Sequence, residues 1–442
     1  MWPDEIFQSL EQAHRLVFGY GMIPWEYVAG LRSYLVPFFL AAVLYPFKCF
    51  SGGGSLIYTG AVRVVLCLLS ASLIVFAYQY AKTFGSRLAG LTAAFMIAFW
   101  YEFVYFAPKA LGDTLAVYLI FPAVLLAERG LRDRRQNDLL WAGALLALGG
   151  MVRYQNLPLL LIPLVMAWPY GYELADLRLF KYYLAAALLV LISAGALDWL
   201  IWGEPFHSLL YTFNYHLLQG GAANYGVMPW HWYGQVLWQT QGFLWPVLLV
   251  FALLAIPRAK VLWATLVFYF IFYSLIPHKE YRFIFLCLPL LMTAAALGAG
   301  ELSRKISGPC LRRATLAAAG LALTLASIYG GINFRWETMG YNSRIIDQRQ
   351  SAWTVMRAHI LAYQYLSTRP DLRGLWDNVD NWRWSPGYYY LHKNIPLYFT
   401  PQVESAVRGG RRGDYLISRA LLAGNSWEKV AQMADVCVYR FR

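Results

Sequence analysis

Residues 268–297 read FYFIFYSLIPHKEYRFIFLCLPLLMTAAAL, and the six residues from His278 to Phe283 interrupt a run that is otherwise almost entirely apolar. Apolar runs of this kind predict helices that cross a membrane, so the charged residues between them lie at a turn close to the bilayer. Ionisable groups in such a setting are costly and mark a functional site by default. The turn from His278 to Phe283 is therefore the first candidate site.

The composition indicates a membrane protein. Of the 442 residues, 59% are hydrophobic, 17% aromatic and only 14% charged, which leaves too little polar surface for an ordinary soluble enzyme. The net charge of +13 comes from basic residues in short loops, not from one basic face interleaved with aromatic side chains. Nucleic acid is therefore not an expected partner. The five cysteines form no CxxC pair and predict neither a zinc site nor a disulfide framework.

The distribution of Lys and Arg predicts the topology. About ten apolar runs long enough, or nearly long enough, to span a membrane lie between residues 57 and 330. Most basic residues of the connecting segments fall on one side. The other side carries only Lys109, Arg153, Lys279 and Arg282, and the loop 203–241 contains no Lys or Arg. By the positive-inside rule the first side is cytoplasmic. We expect the charged turn, this loop and the chain after Gly331 to lie outside the cytoplasm.

Three regions are expected. Residues 1–56 form an extracytoplasmic loop with interfacial helices, because a crossing by the proline-interrupted stretch Tyr34–Phe47 would place Asp4 on the cytoplasmic side. Residues 57–331 form the transmembrane helical domain. Residues 332–442, where charge returns together with Trp, Tyr, Pro and Gly, are expected to fold as an extracytoplasmic domain of mixed α/β structure.

An acidic pair near the amino terminus, Asp4-Glu5, is the natural counterpart of the charged turn. A cationic cluster can hold an anion and a carboxylate can accept a proton, so the two together would make a group-transfer centre. The alternative is that Asp4 only caps the helix that begins near Glu5. The first interpretation requires the fold to bring the two segments together.

Three blocks of sequence, in order along the chain, are similar to one known family. They are Pro3-Asp4-Glu5-Ile6-Phe7-Gln8 with Glu11, His14, Gly19, Gly21, Trp25-Glu26, Arg32-Ser33 and Pro37; Tyr225-Gly226 with Pro229-Trp230-His231-Trp232-Tyr233; and His278-Lys279-Glu280 with Arg282-Phe283. These blocks resemble the opening extracytoplasmic loop, the large lumenal loop and the signature of the GT-C mannosyltransferases of glycosyltransferase family 22. That family uses a polyprenyl-phosphate sugar to build N-glycan precursors and glycosylphosphatidylinositol (GPI) anchors. Weaker similarities lie at Asp113-Thr114, Arg153 and residues 198–203.

The resemblance implies an all-α multi-pass membrane protein of GT-C type with a C-terminal extracytoplasmic α/β domain. Family members carry a transmembrane helix immediately before the Pro-Asp-Glu loop, whereas here that loop begins at residue 2. We expect that about 20 further residues, the length of one span, precede it. The alternative is that another element anchors the N-terminus outside the cytoplasm.

The resemblance and the chemistry of sugar transfer imply roles for both charged segments. Asp4 would be the general base that takes the proton of the acceptor hydroxyl, and Glu5 would orient the acceptor or support the loop. Lys279, Arg282 and His278 would stabilise the phosphate as it leaves. The alternative for the turn is an interfacial charged cluster without a ligand.

For several further residues, the sequence is compatible with two different roles. Arg153 either contacts the donor phosphate or pairs with a buried acid, and Glu280 either orients its basic neighbours or meets sugar hydroxyls. Sugar or acceptor binding is expected of Tyr225, Trp230, His231 and Trp232. Such side chains also populate ordinary interfacial belts. His207 and His216 are expected to be structural. No ligand spacing supports a metal, so we predict no metal and no cofactor.

The expected function is transfer of a hexose, most simply mannose, from a polyprenyl-phosphate donor to a hydroxyl of a lipid-linked glycan or glycolipid, with inversion. The alternative is a polytopic secondary transporter, which would predict internal repeats and a midplane site; the sequence indicates neither. An Ala-, Leu- and Arg-rich chain favours a bacterial inner membrane over the endoplasmic reticulum. The expected partners are the lipid-phosphate donor, the glycolipid acceptor and the membrane.

Overall fold

The computed structural model describes residues 2–49, 55–340, 347, 349–400, 409–422 and 426–442. The fold is mostly helical, with one small sheet near the C-terminus. The first nine helices are α1 (Glu11–Phe18), α2 (Trp25–Val28), α3 (Leu35–Leu44), α4 (Leu56–Phe84), α5 (Arg87–Phe99), α6 (Tyr101–Phe106), α7 (Gly112–Arg132), α8 (Gln136–Val152) and α9 (Leu161–Met166). The next nine are α10 (Phe180–Trp202), α11 (His207–Phe213), α12 (Trp232–Gln241), α13 (Leu244–Leu253), α14 (Lys260–Leu275), α15 (Cys287–Ser303), α16 (Pro309–Ile332), α17 (Arg357–Ser367) and α18 (Gly387–Leu391). The strands are β1 (Gly374–Asp377), β2 (Leu397–Phe399), β3 (Asp414–Ser418), β4 (Trp427–Met433) and β5 (Val436–Phe441).

The chain is a multi-pass membrane protein. Within the described residues, five helices are long and apolar enough to cross a bilayer: Leu56–Phe84, Gly112–Arg132, Phe180–Trp202, Tyr281–Ser303 and Cys310–Ile332. A sixth span is possible if α12 and α13, bent by 108° at their junction, count as one. The predicted number of about ten spans is therefore not confirmed.

Breaks within the apolar runs explain the difference. Residues 88–106 are one of the predicted apolar runs, but α5 ends at Phe99 within it. Trp100 is extended, and the chain continues as the short α6. The runs predicted on either side of Arg153 are joined by the 3-10 segment Tyr154–Leu160. At 1.5 Å of rise per residue, helices of this length fall short of a hydrocarbon core about 30 Å thick.

The two most buried spans form the centre of the bundle and carry the charged residues at their ends. Most residues of α7 and of Tyr281–Ser303 are buried, whereas most residues of α4, α10 and α16 are not. Close packing depends on glycine: a Cβ on Gly298 of α15 would lie 1.8 Å from the carbonyl oxygen of Phe251 on α13. Small residues at such contacts let membrane helices approach closely.

The C-terminal region has the mixed α/β structure expected of residues 332–442. Its five strands lie in the order β2-β1-β3-β5-β4, with β2, β1 and β3 parallel and β3, β5 and β4 antiparallel. Leu375, Ile417 and Val438 are fully buried between this sheet and the rest of the fold.

The N-terminal segment packs directly against this C-terminal region. Glu11, fully buried, accepts hydrogen bonds from the backbone N–H of Met22 at 2.8 Å, Tyr388 at 3.2 Å and Tyr389 at 2.8 Å. A carboxylate that receives three N–H groups fixes the start of α18 against α1. The apolar stretch Tyr34–Phe47 is helical, as α3 followed by a 3-10 turn over Tyr45–Cys49. Its interfacial position stays a prediction.

Replacing Glu11 with Ala should destabilise the protein, because the buried N–H of Tyr389 and the partly buried N–H groups of Met22 and Tyr388 lose their acceptor. The loss at a buried N–H costs on the order of 1–3 kcal/mol. The free energy of unfolding in detergent measures this. Glu11→Gln, which keeps one oxygen acceptor, is the matched control and should cost less. Equal stability of the wild type and Glu11→Ala would contradict this role.

Glu11 should also make stability depend on pH. Burial raises the pKa of Glu11 to about 7, although the N–H groups of Met22, Tyr389 and Tyr388 act in the opposite direction. Because the folded state holds this proton more tightly, the stabilisation is present below the ordinary pKa of 4.5 and is lost as pH rises through about 7. Unfolding midpoints measured between pH 4.5 and 8 should show this loss in the wild type and not in Glu11→Gln.

Candidate active site

The charged turn follows directly from the end of α14. That helix ends at Leu275, Ile276 is extended, and Tyr281–Ile284 forms a 3-10 turn that leads into α15. Pro277 lacks the N–H that a continuing helix requires. The result is a tight corner in which Lys279, Glu280 and Arg282 are all buried.

Arg282 is the centre of the site. Its Nε lies 2.9 Å from Glu280 Oε2 and 3.7 Å from Asp113 Oδ2, and its Nη2 donates to Asp4 Oδ2. The guanidinium carbon lies 4.8 Å from the ring centroid of Trp2. The Arg282 side chain is only 3% exposed, and a buried charge requires such partners. The two segments identified from sequence therefore meet, although they are 278 residues apart.

Asp4 lies at the start of the π-helical segment Glu5–Leu10, which continues into α1. Its side chain makes no capping hydrogen bond to that segment, so the capping alternative is not what the structure shows. Burial would raise the pKa of Asp4, but Arg282, with smaller contributions from Arg32 and Arg153, holds it below the ordinary value of 3.8. With its side chain 27% exposed, Asp4 is an ionised carboxylate that faces open space.

Glu5 points away from the turn. Its Oε2 lies 3.8 Å from Lys109 Nζ, and its oxygens accept from the N–H of Ala110 and of Trp2, both at 3.4 Å. Of the two roles expected for Glu5, these contacts are those of a residue that supports the loop.

Arg153 pairs with an acid. Its Nε lies 2.8 Å from Asp113 Oδ1, and its guanidinium stands 5.0 Å from the ring centroid of Phe283, the ring that Arg282 also contacts. The two arginines thus bracket one carboxylate and one ring. The other expected role of Arg153, a contact to the donor phosphate, stays a prediction.

Lys279 and His278 hold neighbouring backbone. The Lys279 ammonium donates to the carbonyl oxygens of Met228 at 3.1 Å and of Ile276, and burial lowers its pKa. His278 contacts Glu280 Oε1 through Nε2 at 3.1 Å and the carbonyl of Gly226 through Nδ1 at 3.3 Å. The structure therefore ties both residues to the loop before α12, whereas Arg282 faces Asp4.

The predicted aromatic residues are spread over the same loop. The Tyr225 ring lies 5.9 Å from His278, and Trp230 and His231 form an exposed edge-to-face pair at 5.5 Å. Trp232 packs over Gly340, where an added Cβ would lie 2.7 Å from its ring. Tyr225 is thus close to the turn. Trp230 and His231 are exposed, which both sugar binding and a place in an interfacial belt would require.

The residues next to the site that were missed or underestimated are Asp113, Arg32, Glu26 and His216. Asp113, noted in the sequence only as a weak similarity, lies between Arg153 and Arg282 and contacts both. The sequence signal that could have identified it is its position at the start of an apolar run, shortly after Lys109. Arg32 pairs with Glu26 at 2.8 Å, and Glu26 also accepts from Gln8 at 3.0 Å. Both lie in the first matched block.

His216 was expected to be structural and lies near the cationic groups. Burial, together with the positive charges of Arg32 and Arg153 and with His278, lowers the pKa of His216 to about 4. An imidazole that is neutral beside three basic groups can accept a hydrogen bond from a ligand hydroxyl. Within the described residues, no group of three or more His, Cys, Asp or Glu side chains is arranged to hold a metal ion.

Arg282→Ala should destabilise the protein by about 3–5 kcal/mol, because the carboxylates around it lose their counter-charge. Adding Asp4→Asn should recover part of this loss, since one uncompensated carboxylate is removed. A double-mutant cycle on the free energy of unfolding in detergent measures the coupling.

The control for this cycle is Arg258→Ala, which breaks the more exposed pair with Glu301 and should cost no more than about 1 kcal/mol. If Arg282→Ala is no more destabilising than Arg258→Ala, or if the two site substitutions are additive, then Arg282 and Asp4 do not form a buried pair.

Comparisons with known proteins identify the family of this chain. The model of the Alg9-like mannosyltransferase family matches residues 2–342. Over 403 residues, the chain is 25% identical to GPI alpha-1,2-mannosyltransferase 3 of Bos taurus, covering 89% of this chain and 68% of that protein. Identity to the Mus musculus protein of the same name is 29%, covering 66% of this chain and 53% of that protein. GPI mannosyltransferase 3 of Yarrowia lipolytica is 27% identical, with 90% and 72% covered. The chain thus spans between about half and about 70% of these relatives.

The fold is that of the GT-C enzymes. The crystal structure of ArnT from Cupriavidus metallidurans bound to undecaprenyl phosphate superposes with a TM-score of 0.63 at 11% identity, covering 99% of this chain and 93% of that one. The apo form of the same protein gives a TM-score of 0.59. The three relatives are eukaryotic and give no support to the expected preference for a bacterial inner membrane. With the family match over most of the membrane region, this chain belongs to the Alg9-like mannosyltransferase family, glycosyltransferase family 22.

Proposed function

We propose that this protein transfers mannose from a polyprenyl-phosphate donor to a hydroxyl of a GPI-type glycolipid, with inversion at the anomeric carbon. One observation carries the proposal: the ionised Asp4 carboxylate lies against the buried Arg282 guanidinium. A proton acceptor and a cation that can bind phosphate therefore share one site, and a single displacement would place the sugar between them.

The proposed reaction uses both groups in one step. The acceptor O–H loses its proton to Asp4 while its oxygen forms a bond to the anomeric carbon. The bond from that carbon to the phosphate oxygen breaks on the opposite face, and its electron pair leaves with polyprenyl phosphate. Arg282 and Arg153 would hold the phosphate through charge-assisted hydrogen bonds, which strengthen as its negative charge increases.

The ion pair would also determine when Asp4 can accept the proton of the acceptor hydroxyl. While Arg282 faces Asp4, the low pKa of Asp4 makes it a weak base. A phosphate that takes over the guanidinium would remove that lowering influence and leave Asp4 more basic only when donor is bound. The free enzyme would thus keep its base in the ionised form throughout the neutral range.

The donor and acceptor classes have separate support. The family and the relatives named GPI mannosyltransferases support mannose and a GPI-type acceptor. A polyprenyl-phosphate donor agrees with two arginines at the mouth of a helical membrane bundle, and ArnT, which shares the fold, was solved with undecaprenyl phosphate. We further propose that the site faces away from the cytoplasm, which rests on the positive-inside distribution of Lys and Arg. The match to an enzyme family does not favour the alternative of a transporter.

Asp4→Asn should lower the rate of mannose transfer by about 10²- to 10⁴-fold, because the general base is lost while the shape of the side chain is kept. Transfer from radiolabelled polyprenyl-phosphate mannose to a synthetic mannosylated GPI measures this in purified protein. The anomeric configuration of the new bond, determined by NMR, should be opposite to that of the donor.

The matched control is Asp138→Asn, which removes the carboxylate partner of Arg129 at the other end of α7. This variant should keep transfer within about threefold of the wild type. Equal turnover by Asp4→Asn and the wild type would remove Asp4 as the base. Absence of transfer from any mannosyl phospholipid by the wild type would refute the proposed reaction itself.

A further inference from the structure

The segment that follows β1 lies beside the helix that carries Asp4. After Asp377 the chain passes through Asp380 and Asn381 to a short 3-10 turn, Trp382–Trp384. The ring of Trp382 contacts that of Phe7 edge-to-face, with centroids 5.6 Å apart. Phe7 follows Asp4 by three residues, which corresponds to about 5 Å along a helix. The C-terminal region therefore contacts the helical segment that carries the proposed base.

This segment is held in place by buried polar contacts. Asp377, fully buried, accepts from Tyr363 at 2.7 Å, lies 2.9 Å from His359 Nε2, and receives the N–H of Val379 at 3.0 Å. The Asn381 side chain in turn accepts from the N–H of Arg383 at 3.0 Å. A segment fixed in this way presents its exposed side chains in a defined geometry, as a binding site requires.

The position within the sheet independently indicates a ligand site. Asp377 is the last residue of β1, the strand between its parallel neighbours β2 and β3. In open sheets with parallel strands, ligands bind outside the carboxyl ends of the strands. Residues 380–383 leave the sheet at this edge.

The side chains suit a sugar better than an anion or a lipid. Asp380 and Trp382 are half-buried, and Asn381 and Arg383 are exposed. The Arg383 guanidinium stands 5.6 Å from the Trp382 ring centroid. One carboxylate and one guanidinium give no net positive charge to hold a phosphate, whereas an indole ring flanked by carboxylate, amide and guanidinium groups offers an apolar face with donors and acceptors for hydroxyls.

We propose that Asp380, Asn381, Trp382 and Arg383 form the subsite that binds the saccharide of the glycolipid acceptor and presents its hydroxyl to Asp4. This rests on the proposed mannosyltransferase function. It gives the C-terminal region a role in acceptor choice.

Binding of the acceptor in the absence of donor tests this subsite separately from the reaction. The probe is a synthetic mannosylated GPI titrated onto full-length protein in nanodiscs. Trp382→Ala should weaken binding roughly tenfold or more, and Trp382→Phe should restore most of it. Asp4→Asn should bind the probe as the wild type does while failing to transfer mannose.

Two further variants keep the test decisive if Trp382→Ala does not fold. Asn381→Ala and Arg383→Ala alter exposed side chains, and each should raise the KM for acceptor several-fold without raising the KM for donor. Tyr398→Ala, an exposed aromatic on the edge strand β2, is the matched control and should change neither value.

Unchanged acceptor binding and unchanged acceptor KM in Trp382→Ala, Asn381→Ala and Arg383→Ala would overturn the proposed subsite. An equal rise in both KM values would also overturn it, because a general loss of structure would then explain the effect. If the wild type binds the GPI probe but transfers no mannose, the proposed reaction fails while the subsite stands.

Discussion

The burial of Arg282 is the constraint on which the rest of the site depends. A guanidinium group that is 3% exposed must be compensated, and three carboxylates from three different parts of the chain do so. Asp4 comes from the N-terminal segment, Asp113 from the start of α7, and Glu280 from the same turn as Arg282. Pairing one cation with these groups fixes where the N-terminal segment lies on the bundle. The same pairing places a proton acceptor beside an anion-binding group.

The scaffold explains why this arrangement is stable. The most buried spans, α7 and Tyr281–Ser303, carry Asp113 and Arg282 at their ends, so the charges lie where the packed bundle meets the outer loops. The N-terminal segment is also held by the C-terminal region, through Glu11 and the N–H groups of Tyr388 and Tyr389. Contacts to both the bundle and the C-terminal region therefore fix the segment that carries Asp4, which agrees with the precise positioning that a general base requires.

Sequence reasoning found Arg282 because its turn places charge within apolar sequence. Asp4 was identified as the acidic counterpart of that turn and from the resemblance of the first block. Their contact required only that the fold bring the two segments together. Asp113 was underestimated because a single Asp at the start of an apolar run resembles a helix cap. The contact of Lys279 to the carbonyl of Met228 depends on how the 226–228 loop folds back, which no local pattern encodes. The number of spans stays a prediction, because hydropathy does not reveal breaks such as the one after Phe99.

The central claim is that donor phosphate and acceptor hydroxyl meet at the Asp4–Arg282 pair. The most direct measurement is an electron cryo-microscopy map of the protein in nanodiscs with a non-transferable phosphonate analogue of polyprenyl-phosphate mannose. The account predicts phosphonate density within hydrogen-bonding distance of the Arg282 guanidinium, with the Asp4 carboxylate on the opposite face of the anomeric carbon. Phosphonate density away from Arg282 would contradict the account, if the Asp4–Arg282 contact is intact and no sugar density lies between this pair and the outer loops.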